Sequence, residues 1–242
     1  RLGVTRAAGW KKIAALRDAG YDISSAPRSG YVLRSSPDRL IETEITRGLT
    51  TRLIGQKVIC YDAVDSTNLV LKDLARAGAE DGTVVVADSQ GTGRGRMERA
   101  FFSPPGKGIW VSILLRPTFL PQDAPKCTLM AAVAVARAME KFGLRAAIKW
   151  PNDIMHDGRK LVGILTEMSA EMDRVNYVVI GIGINVNIAS EDFPEELRPI
   201  ATSLMQMKGE PLPRVAFLQE LLRALDALYA CAQQEGFAPV LA

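Results

Sequence analysis

The fold class depends on two apolar runs in the second half of the chain, LVGILTE at residues 161–167 and VNYVVIGIGINV at residues 175–186. A charged turn separates the two runs, and this pattern predicts two neighbouring strands. Three further strands are predicted, at residues 57–61, 83–88 and 109–115. Because several strands follow one another like hairpins, we predict a mixed arrangement of helices and strands without strict βαβ repetition.

Helical patterns flank these strands. They predict helices at residues 38–49, 66–78, 122–142 and 213–234, and the last residues, 235–242, are interpreted as a connector. The pattern changes after Ser36, so we divide the chain into residues 1–36 and residues 37–242. The first part carries seven Lys and Arg against two Asp, a net charge of +5, whereas the other 206 residues carry 23 basic and 25 acidic side chains, a net charge of −2.

The composition excludes several classes of protein. Hydrophobic residues make up 48% and charged residues 24% of the chain, which is typical of a globular protein with a sizeable core. No apolar run is long enough to span a membrane, and residues 1–20 do not resemble a signal peptide, so we expect a cytoplasmic protein without membrane contact. The three cysteines are scattered, indicate neither disulfides nor a zinc site, and are expected to be buried, reduced thiols.

A single histidine is the most restrictive feature of the composition. Ser-His-Asp triads, HExxH zinc sites and histidine-based acid–base catalysis all need histidines placed together with their partners. His156 itself lies in the polar run from Met155 to Arg159 and is interpreted as an exposed turn residue. Any chemistry must therefore rely on Lys, Arg, carboxylates and the backbone.

The basic first part predicts a helix capped by Thr5 and running to Ala19, followed by two short strands around residues 24–30. A basic helix before a β-hairpin is typical of a winged helix-turn-helix domain, whose recognition helix contacts phosphates and base edges of DNA. A solvated basic helix packed on its neighbour is the alternative. Because the chain begins at the presumed recognition helix, we expect an N-terminal truncation and only weak, salt-sensitive DNA binding.

The strongest candidate for ligand binding is the loop GTGRGRMERAFFSPPGKG, residues 91–108, between two predicted strands. Its glycines let backbone N–H groups approach an anion, and Arg94, Arg96 and Arg99 can each fork onto carboxylate or phosphate oxygens. The loop is not a Walker motif, and residues 181–186 lack the last glycine of a dinucleotide-binding fingerprint. A solvated arginine loop is the alternative, although three close arginines repel one another unless an anion joins them.

A second candidate site combines KWPND at residues 149–153 with GRKLVG at residues 158–163. The two motifs place two lysines, an asparagine and an aspartate around one turn at a strand end. Asp153 and a nearby amide are suited to holding Mg²⁺ on a phosphate, while Lys160 can neutralise a reacting carboxylate. An ordinary charged hairpin is the alternative. The glycines of the strand at residues 181–187 either leave space for a ligand against the sheet or mark bulges.

Six motifs of the chain, in this order and spacing, resemble those of biotin protein ligases. They are DSTN at 65–68, Gln90 with GRGR at 93–96, FSP at 102–104, KWPND at 149–153, KLVGIL at 160–165 and GIGIN at 181–185. Residues 1–36 resemble the winged-helix domain of the bifunctional members, which also repress the biotin operon. The resemblance implies an α+β fold similar to class II aminoacyl-tRNA synthetases, with a mixed, mainly antiparallel sheet and flanking helices at 37–242, after a partial winged helix-turn-helix domain at 1–36.

Members of this family join biotin to ATP as biotinyl-5′-adenylate and then transfer biotin to one lysine of the biotin carboxyl carrier protein of acetyl-CoA carboxylase. The resemblance therefore implies biotin, ATP and Mg²⁺ as ligands, this carrier protein as a partner, operator DNA as a partner of residues 1–36, and a possible homodimer. A carboxylate is already ionised at neutral pH, so its attack on the α-phosphate needs no general base. This chemistry agrees with the single histidine.

The motifs also imply roles for individual residues. Biotin is expected to contact Ser66, Thr67, Asn68, Gln90, Arg94, Gly95, Arg96, Lys160, Gly163 and Gly183. ATP is expected to contact Arg99, Phe101, Lys149, Asn152 and Asn185. The expected catalytic residues are Lys160, Arg96 and Asp153, of which Asp153 also places Mg²⁺. Phe101 stands where the family usually has Trp to stack on adenine, which predicts weaker nucleotide binding. Closure of the loop at residues 91–99 is expected to keep the adenylate from water and from escape.

Two alternatives stay open. A lipoate-type acyl-adenylate ligase shares the superfamily fold and the lysine, although the GRGR and KWPND motifs favour biotin. The second is a DNA-binding regulator that senses biotinyl-adenylate with little turnover. Bifunctional members also carry a small SH3-like domain after the catalytic domain, and because the chain stops before it, we expect a lower catalytic efficiency.

Overall fold

The computed structural model describes residues 5–26, 30–93, 101–150 and 152–241. The chain forms two compact units, residues 1–39 and residues 40–242. Four of the predicted ligand-binding residues, Arg94, Gly95, Arg96 and Arg99, lie outside the described residues. Their roles therefore stay predictions from the sequence.

The first unit consists of a helix and a hairpin. Helix α1 (Arg6–Asp18) precedes the antiparallel strands β1 (Asp22–Ala26) and β2 (Gly30–Ser35). Thr5 caps the helix as the sequence predicts, because its Oγ1 accepts a hydrogen bond from the backbone N–H of Ala8 at 3.3 Å. Helix and hairpin thus follow in the predicted order.

The second unit is a seven-stranded sheet with helices on both faces. Its strands are β3 (Val58–Val64), β4 (Val84–Gln90), β5 (Gly108–Leu115), β6 (Ala147–Lys149), β7 (Asp153–His156), β8 (Arg159–Ala170) and β9 (Val175–Asn185). Its helices are α2 (Glu42–Thr46), α3 (Thr67–Arg76), α4 (Lys126–Lys141), α5 (Leu204–Lys208), α6 (Arg214–Glu235) and α7 (Ala238–Leu241). The strand order is β3-β4-β5-β9-β8-β7-β6; β3 and β4 pair in parallel, and the other described pairs are antiparallel. The predicted mixed, mainly antiparallel sheet with flanking helices is confirmed.

Alternation along the central strands separates the main core from the other face of the sheet. Ile109, Val111 and Ile113 of β5 belong to the large apolar cluster that also contains the buried faces of α4 and α6. Their neighbours Trp110 and Ser112 point the opposite way. That opposite face carries α3, packed through its own smaller apolar cluster, and it buries the polar side chains of Thr67, Asn68 and Ser112.

Two predicted helix boundaries are wrong. Helix α2 covers five residues rather than residues 38–49, because it is rich in β-branched residues, which form helices weakly, and Gly48 then adopts a left-handed conformation with a φ of 76°. Helix α4 begins at Lys126 rather than at residue 122. Residues 121–123 form a 3₁₀ turn instead, and Pro125, which has no N–H to donate, directly precedes the helix.

The end of the chain also differs from the prediction. Residues 238–241 form the short helix α7 where a connector was predicted. The ring of Phe237 packs edge-on against Phe119, with 5.1 Å between ring centroids, and this contact holds the segment against the core. Within the described residues, no helix combines the length and the hydropathy that crossing a bilayer requires.

Two short strands, β6 and β7, are absent from the sequence prediction because three or four residues are too few for a period-2 pattern. Lys149 ends β6 and Asp153 begins β7, so the KWPND motif surrounds a turn as expected. His156 ends β7 rather than lying in the next turn. That turn contains Asp157 and Gly158, with φ values of 48° and 74°, as in a tight type I′ hairpin.

The cysteines are free thiols. Cys127 is buried, as predicted, whereas Cys60 and Cys231 are half-buried, so the prediction of burial is correct for one of the three. Desolvation raises the pKa of the Cys127 thiol and that of the Cys60 thiol to about 12. Both thiols are therefore protonated and unreactive at neutral pH.

Asp226 of α6 fastens the segment that precedes β3. Its carboxylate accepts hydrogen bonds of 2.8–3.0 Å from the backbone N–H groups of Arg52, Leu53 and Ile54. Asp226→Ala leaves three donors without this partner, so we expect the free energy of unfolding to fall by about 2–4 kcal/mol. Urea unfolding followed by circular dichroism measures the loss. Asp173→Ala, in the exposed turn between β8 and β9, is the control, and equal losses in the two variants would contradict this role.

Candidate active site

The floor of the candidate site is built from glycines on neighbouring strands. Gly183 of β9 pairs with Gly163 of β8, and Gly181 pairs with Leu165 of β8 and Ser112 of β5. In their strands, these residues occupy the alternate positions that lie on the face of the sheet opposite the main core. They lie at the base of a cleft.

Two side chains pack directly on these glycines. A methyl group at position 181 would overlap Asn68 Oδ1, and one at position 163 or 183 would lie 2.7 Å from the Phe101 ring. The ring also makes an edge-on contact with Trp110, with 5.9 Å between centroids. The space that the glycines leave against the sheet is therefore filled by Asn68 and Phe101.

The N-terminus of α3 brings three predicted site residues into the cleft. Ser66 is the N-cap residue, but its side chain makes no capping hydrogen bond and has no hydrogen-bond partner among the described residues. The carbonyl oxygen of the Gln90 side chain instead accepts from the N–H of Thr67 at 2.9 Å. The apolar face of α3, including Leu71, packs against the sheet and fixes the start of the helix over Gly181.

Buried hydrogen bonds connect these residues in a chain. The Ser112 hydroxyl lies 2.6 Å from Asn68 Oδ1 and 2.7 Å from Thr67 Oγ1. Gln90 Nε2 donates to Ser103 Oγ at 3.0 Å, and the Ser103 hydroxyl lies 3.0 Å from the Phe101 carbonyl. Ser112 and Ser103 are buried. Because each member holds its neighbour in one orientation, the chain presents a fixed set of donors and acceptors.

Lys160 lines the same cleft and forms an ion pair with Asp153, with Nζ 2.8 Å from Oδ1, whereas Asp153 itself does not line the cleft. The ammonium group lies 5.6 Å from the centroid of the Phe101 ring and beside Gly163. Backbone hydrogen bonds at both the N–H and the carbonyl of Lys160 join it to residues 200–202 and fix its backbone. Asp153 Oδ1 is buried, and this ammonium group is its one partner among the described residues, at an angle outside hydrogen-bond geometry.

Hydrogen bonds hold both ends of the segment 94–100. On one side, the Gly91 N–H donates to the Val64 carbonyl at 2.9 Å. On the other, the Gly106 N–H donates to Asp88 at 2.9 Å. The Phe101 N–H then donates to the Gly93 carbonyl at 2.6 Å, which joins the two ends directly.

The structure gathers most of the predicted site residues in one cleft but not all of them. The cleft is lined by Ser66, Thr67, Asn68, Gln90, Phe101, Asn152, Lys160, Gly163 and Gly183. Lys149 is exposed at the end of β6 and does not line it. Asn185 is buried and donates its side-chain N–H to the Thr202 carbonyl at 3.0 Å, so this amide supports the backbone outside the cleft.

The sequence analysis overlooked Ser112 and Ser103 of this network. It also overlooked Glu167, which accepts from Asn68 Nδ2 at 2.8 Å, and Lys72, which donates to Glu167 at 2.7 Å. One signal was available for Ser112, which is the single polar residue of the otherwise apolar run IWVSILL. A buried hydroxyl in such a strand needs a partner on the same face of the sheet. For the other three, the sequence contains no comparable local signal.

Within the described part of the chain, no cluster of three metal-ligating side chains exists. Mg²⁺ that arrives on a nucleotide needs one or two carboxylates beside the phosphates and keeps several waters. Asp153 satisfies that smaller requirement. These residues fit Mg²⁺ as a companion of the nucleotide rather than a resident metal ion.

The comparisons with known proteins agree with this geometry. The model of the biotin/lipoate A/B protein ligase family matches residues 60–185. The chain is similar to the bifunctional ligase/repressor BirA of Bacillus subtilis, with 48% identity over 99% of this chain and 74% of that protein. It is also similar to the biotin–[acetyl-CoA-carboxylase] ligase of Mycobacterium tuberculosis, with 33% identity over 78% of this chain and 72% of that protein.

A solved structure supports the same assignment. The biotin protein ligase of Aquifex aeolicus in complex with biotin and ATP superposes with a TM-score of 0.66 and 31% identity, over 76% of this chain and 75% of that one. The matched family and the similar fold place the chain, with its polar, lysine-containing cleft, in the class of protein ligases. The chain belongs to the biotin/lipoate A/B protein ligase family.

Proposed function

We propose that the chain is an ATP-dependent biotin protein ligase. It forms biotinyl-5′-adenylate from biotin and ATP and transfers biotin to one lysine of the biotin carboxyl carrier protein of acetyl-CoA carboxylase. One observation carries the proposal: uncharged polar side chains lie beside Gly181, and a lysine ammonium group lies beside Gly163 in the same cleft. Biotin has the matching chemistry, with a cyclic urea at one end and a carboxylate at the other.

The urea ring is recognised at the N-terminus of α3. A urea oxygen accepts hydrogen bonds, and its two N–H groups donate. The Ser66 hydroxyl and the second N–H of Gln90 Nε2 supply donors, while Asn68 Oδ1 keeps one acceptor position beyond its bond to Ser112. The backbone at Gly183 and Gly163 allows the rest of the ligand to lie against the sheet once Phe101 moves aside.

Activation requires charge neutralisation and alignment rather than a base. A biotin carboxylate oxygen bonds to the α-phosphorus of ATP as the bond to pyrophosphate breaks, and a mixed anhydride results. Lys160 binds the carboxylate and the bridging oxygen in place of Asp153, and Asp153 then becomes available to the Mg²⁺ that the nucleotide carries. In the second step the acceptor lysine bonds to the acyl carbon and AMP leaves.

The nucleotide is assigned to residues on the KWPND side of the cleft. Asn152 lines the cleft and is pinned to β8, because its side-chain N–H donates to the Ile164 carbonyl at 3.2 Å. The exposed Lys149 is available to phosphates. Arg99 and Arg96 keep their sequence-based roles, and Asn185 acts indirectly by supporting residue 202.

Partners follow from the same assignment. The carrier protein supplies the acceptor lysine, and a second copy of the chain forms a homodimer. Strand β7 pairs with β8 as far as Gly163, so the β8 edge from Thr166 to Ala170 has no strand partner in the described part of the chain. An unpaired strand edge supports contacts with another chain. Residues 1–36 bind operator DNA through the exposed Lys11 and Lys12, and the enzyme works in the cytoplasm.

The polar end of the cleft favours biotin over lipoate. A lipoyl ring has no hydrogen-bonding group, so it would leave the Ser66 hydroxyl, the second N–H of Gln90 Nε2 and the remaining acceptor position of Asn68 Oδ1 desolvated without a ligand partner. Leaving buried polar groups unpaired gives strong discrimination, of about 10⁴-fold where a site is built to hydrogen-bond its substrate. A regulator that binds the adenylate without turnover needs the same cleft and differs only in the transfer step.

Native mass spectrometry tests the proposal. The purified chain is incubated with Mg-ATP and an equimolar mixture of biotin and lipoate. We expect retained biotinyl-adenylate, followed by labelling of added carrier protein. Retained lipoyl-adenylate would establish the lipoate alternative, and adenylate without transfer would favour the regulator. Retained biotin without adenylate would show that the pocket works while the activation step does not.

A further inference from the structure

Two charged residues that the reaction does not use lie directly behind the polar end of the cleft. Glu167 of β8 accepts a hydrogen bond from Asn68 Nδ2 at 2.8 Å through Oε2. Its other oxygen, Oε1, accepts from the Lys72 ammonium group at 2.7 Å. Both side chains are mostly buried, with 31% and 23% of their surfaces exposed. Neither residue lines the cleft.

This arrangement determines which way the Asn68 amide faces. An ionised carboxylate only accepts hydrogen bonds, so the amide must turn its NH₂ group towards Glu167. The second N–H of the same group points to the Leu165 carbonyl at 3.3 Å. The Asn68 oxygen then accepts from the Ser112 hydroxyl at 2.6 Å and is available as an acceptor to a ligand in the cleft. Gly181 lies so close beneath the amide that the side chain has little room to move.

We propose that Glu167 and Lys72 are positioning residues that keep Asn68 as a hydrogen-bond acceptor, and that they thereby select ligands with an N–H donor at this place, such as a cyclic urea. The inference rests on the proposed function and goes beyond it, because it assigns part of the ligand specificity to residues that do not touch the ligand. Lys72 pairs with Glu167 and fixes the rotamer of its carboxylate.

Glu167→Gln is the most informative substitution, because it preserves the shape of the side chain but removes the constraint on which way the Asn68 amide faces. Lys72 needs an acceptor, so the new amide turns its oxygen to Lys72 and its NH₂ group to Asn68. Asn68 then flips, and a donor faces the urea N–H. We expect the Kd for biotin to rise about 10- to 100-fold, as for a missing or opposed buried hydrogen bond.

The two residues are expected to act non-additively. Lys72→Met alone leaves a carboxylate behind Asn68 and raises the Kd for biotin no more than about threefold. In Glu167→Gln, adding Lys72→Met frees the new amide to offer its oxygen to Asn68 again, so the double variant binds biotin more tightly than Glu167→Gln alone. A role in stability alone predicts the opposite, since the second substitution would add to the first.

Isothermal titration with biotin, together with the KM for ATP and the melting temperature of each variant, forms the test. We expect the KM for ATP to stay within about twofold, because the flipped amide faces only the biotin ring. Glu171→Gln is the matched control. Glu171 is the residue after β8 and also accepts from a cation and an amide, Arg174 and Asn176, but it is exposed.

Three results overturn the inference. The first is a folded Glu167→Gln that binds biotin as the unmodified chain does, and the second is a double variant weaker than Glu167→Gln. The third is a Glu167→Gln effect of equal size in an Asn68→Ala background. If Glu167→Gln fails to fold, Glu167→Ala takes its place, because it also removes the carboxylate that accepts from Asn68 Nδ2. A folded Glu167→Ala with a lower melting temperature but the Kd for biotin of the unmodified chain contradicts the inference. An unmodified chain that binds no biotin refutes the proposed function itself, and this inference with it.

Discussion

Lys160→Met is expected to lower kcat/KM for biotin activation by about 10²- to 10³-fold, the range found when a single group that stabilises developing charge is removed. The biotin carboxylate and the triphosphate repel each other as they approach, and Lys160 is the described cleft residue whose ammonium group can neutralise both. Biotin-dependent release of pyrophosphate measures the effect. Lys141→Met, at the exposed end of α4, is the control and should release pyrophosphate as the unmodified chain does.

Lys160→Met also breaks the ion pair with Asp153, which affects stability. A second substitution separates this effect from the loss of activity. Lys160→Met leaves Asp153 Oδ1 buried without the cation that it contacts. An unpaired carboxylate lowers stability, so part of the loss in activity could reflect unfolding. Lys160→Met with Asp153→Asn removes the charge as well, and we expect it to recover melting temperature but not pyrophosphate release. Recovery of activity in the double variant would contradict the role of Lys160.

Gly181→Ala is expected to weaken biotin binding by at least about 100-fold and to lower the free energy of unfolding by about 1–3 kcal/mol, which is typical of overpacking. The added methyl group would overlap the Asn68 side chain, and hydrogen bonds to Ser112, Leu165 and Glu167 prevent that side chain from moving aside. The extended backbone of Gly181 accepts alanine without strain, so the effect reports on packing alone. Fluorescence titration with labelled biotin and urea unfolding measure the two losses.

A compensating substitution separates the two effects of Gly181→Ala. Asn68→Ser removes most of the overlapping atoms, so Gly181→Ala with Asn68→Ser should regain stability. The double variant still lacks the amide oxygen and should stay defective in biotin binding. If biotin binding returned together with stability, Asn68 would not be a ligand contact.

Local patterns were enough to predict much of the fold and part of the site. The apolar runs at residues 161–167 and 175–186 predict strands, and the spacing of Gly181 and Gly183 places both on one face of β9. The N-terminus of α3 follows from Ser66 and the apolar periodicity after it. These signals lie within one element, where spacing and residue type determine geometry.

What the sequence did not predict depends on contacts between distant residues. Lys160 and Asp153 were predicted to contact ligands, and only the register of β7 against β8 shows that they contact each other. Asn185 was predicted to contact phosphate, yet its amide bonds to Thr202, seventeen residues further along the chain. Glu167 and Asn68 are 99 residues apart. No periodicity or motif encodes such pairs, because they arise when separate elements pack.

The hydrogen bond between Phe101 and Gly93 has a consequence for how this protein can change during evolution. It joins the two ends of the seven-residue segment between them. The sheet fixes both of these ends, whatever the sequence of the segment is. Closing a longer loop costs little, since each doubling of length adds only about 0.6 kcal/mol. Substitutions, insertions and deletions between Gly93 and Phe101 can thus accumulate while the sheet keeps its stability.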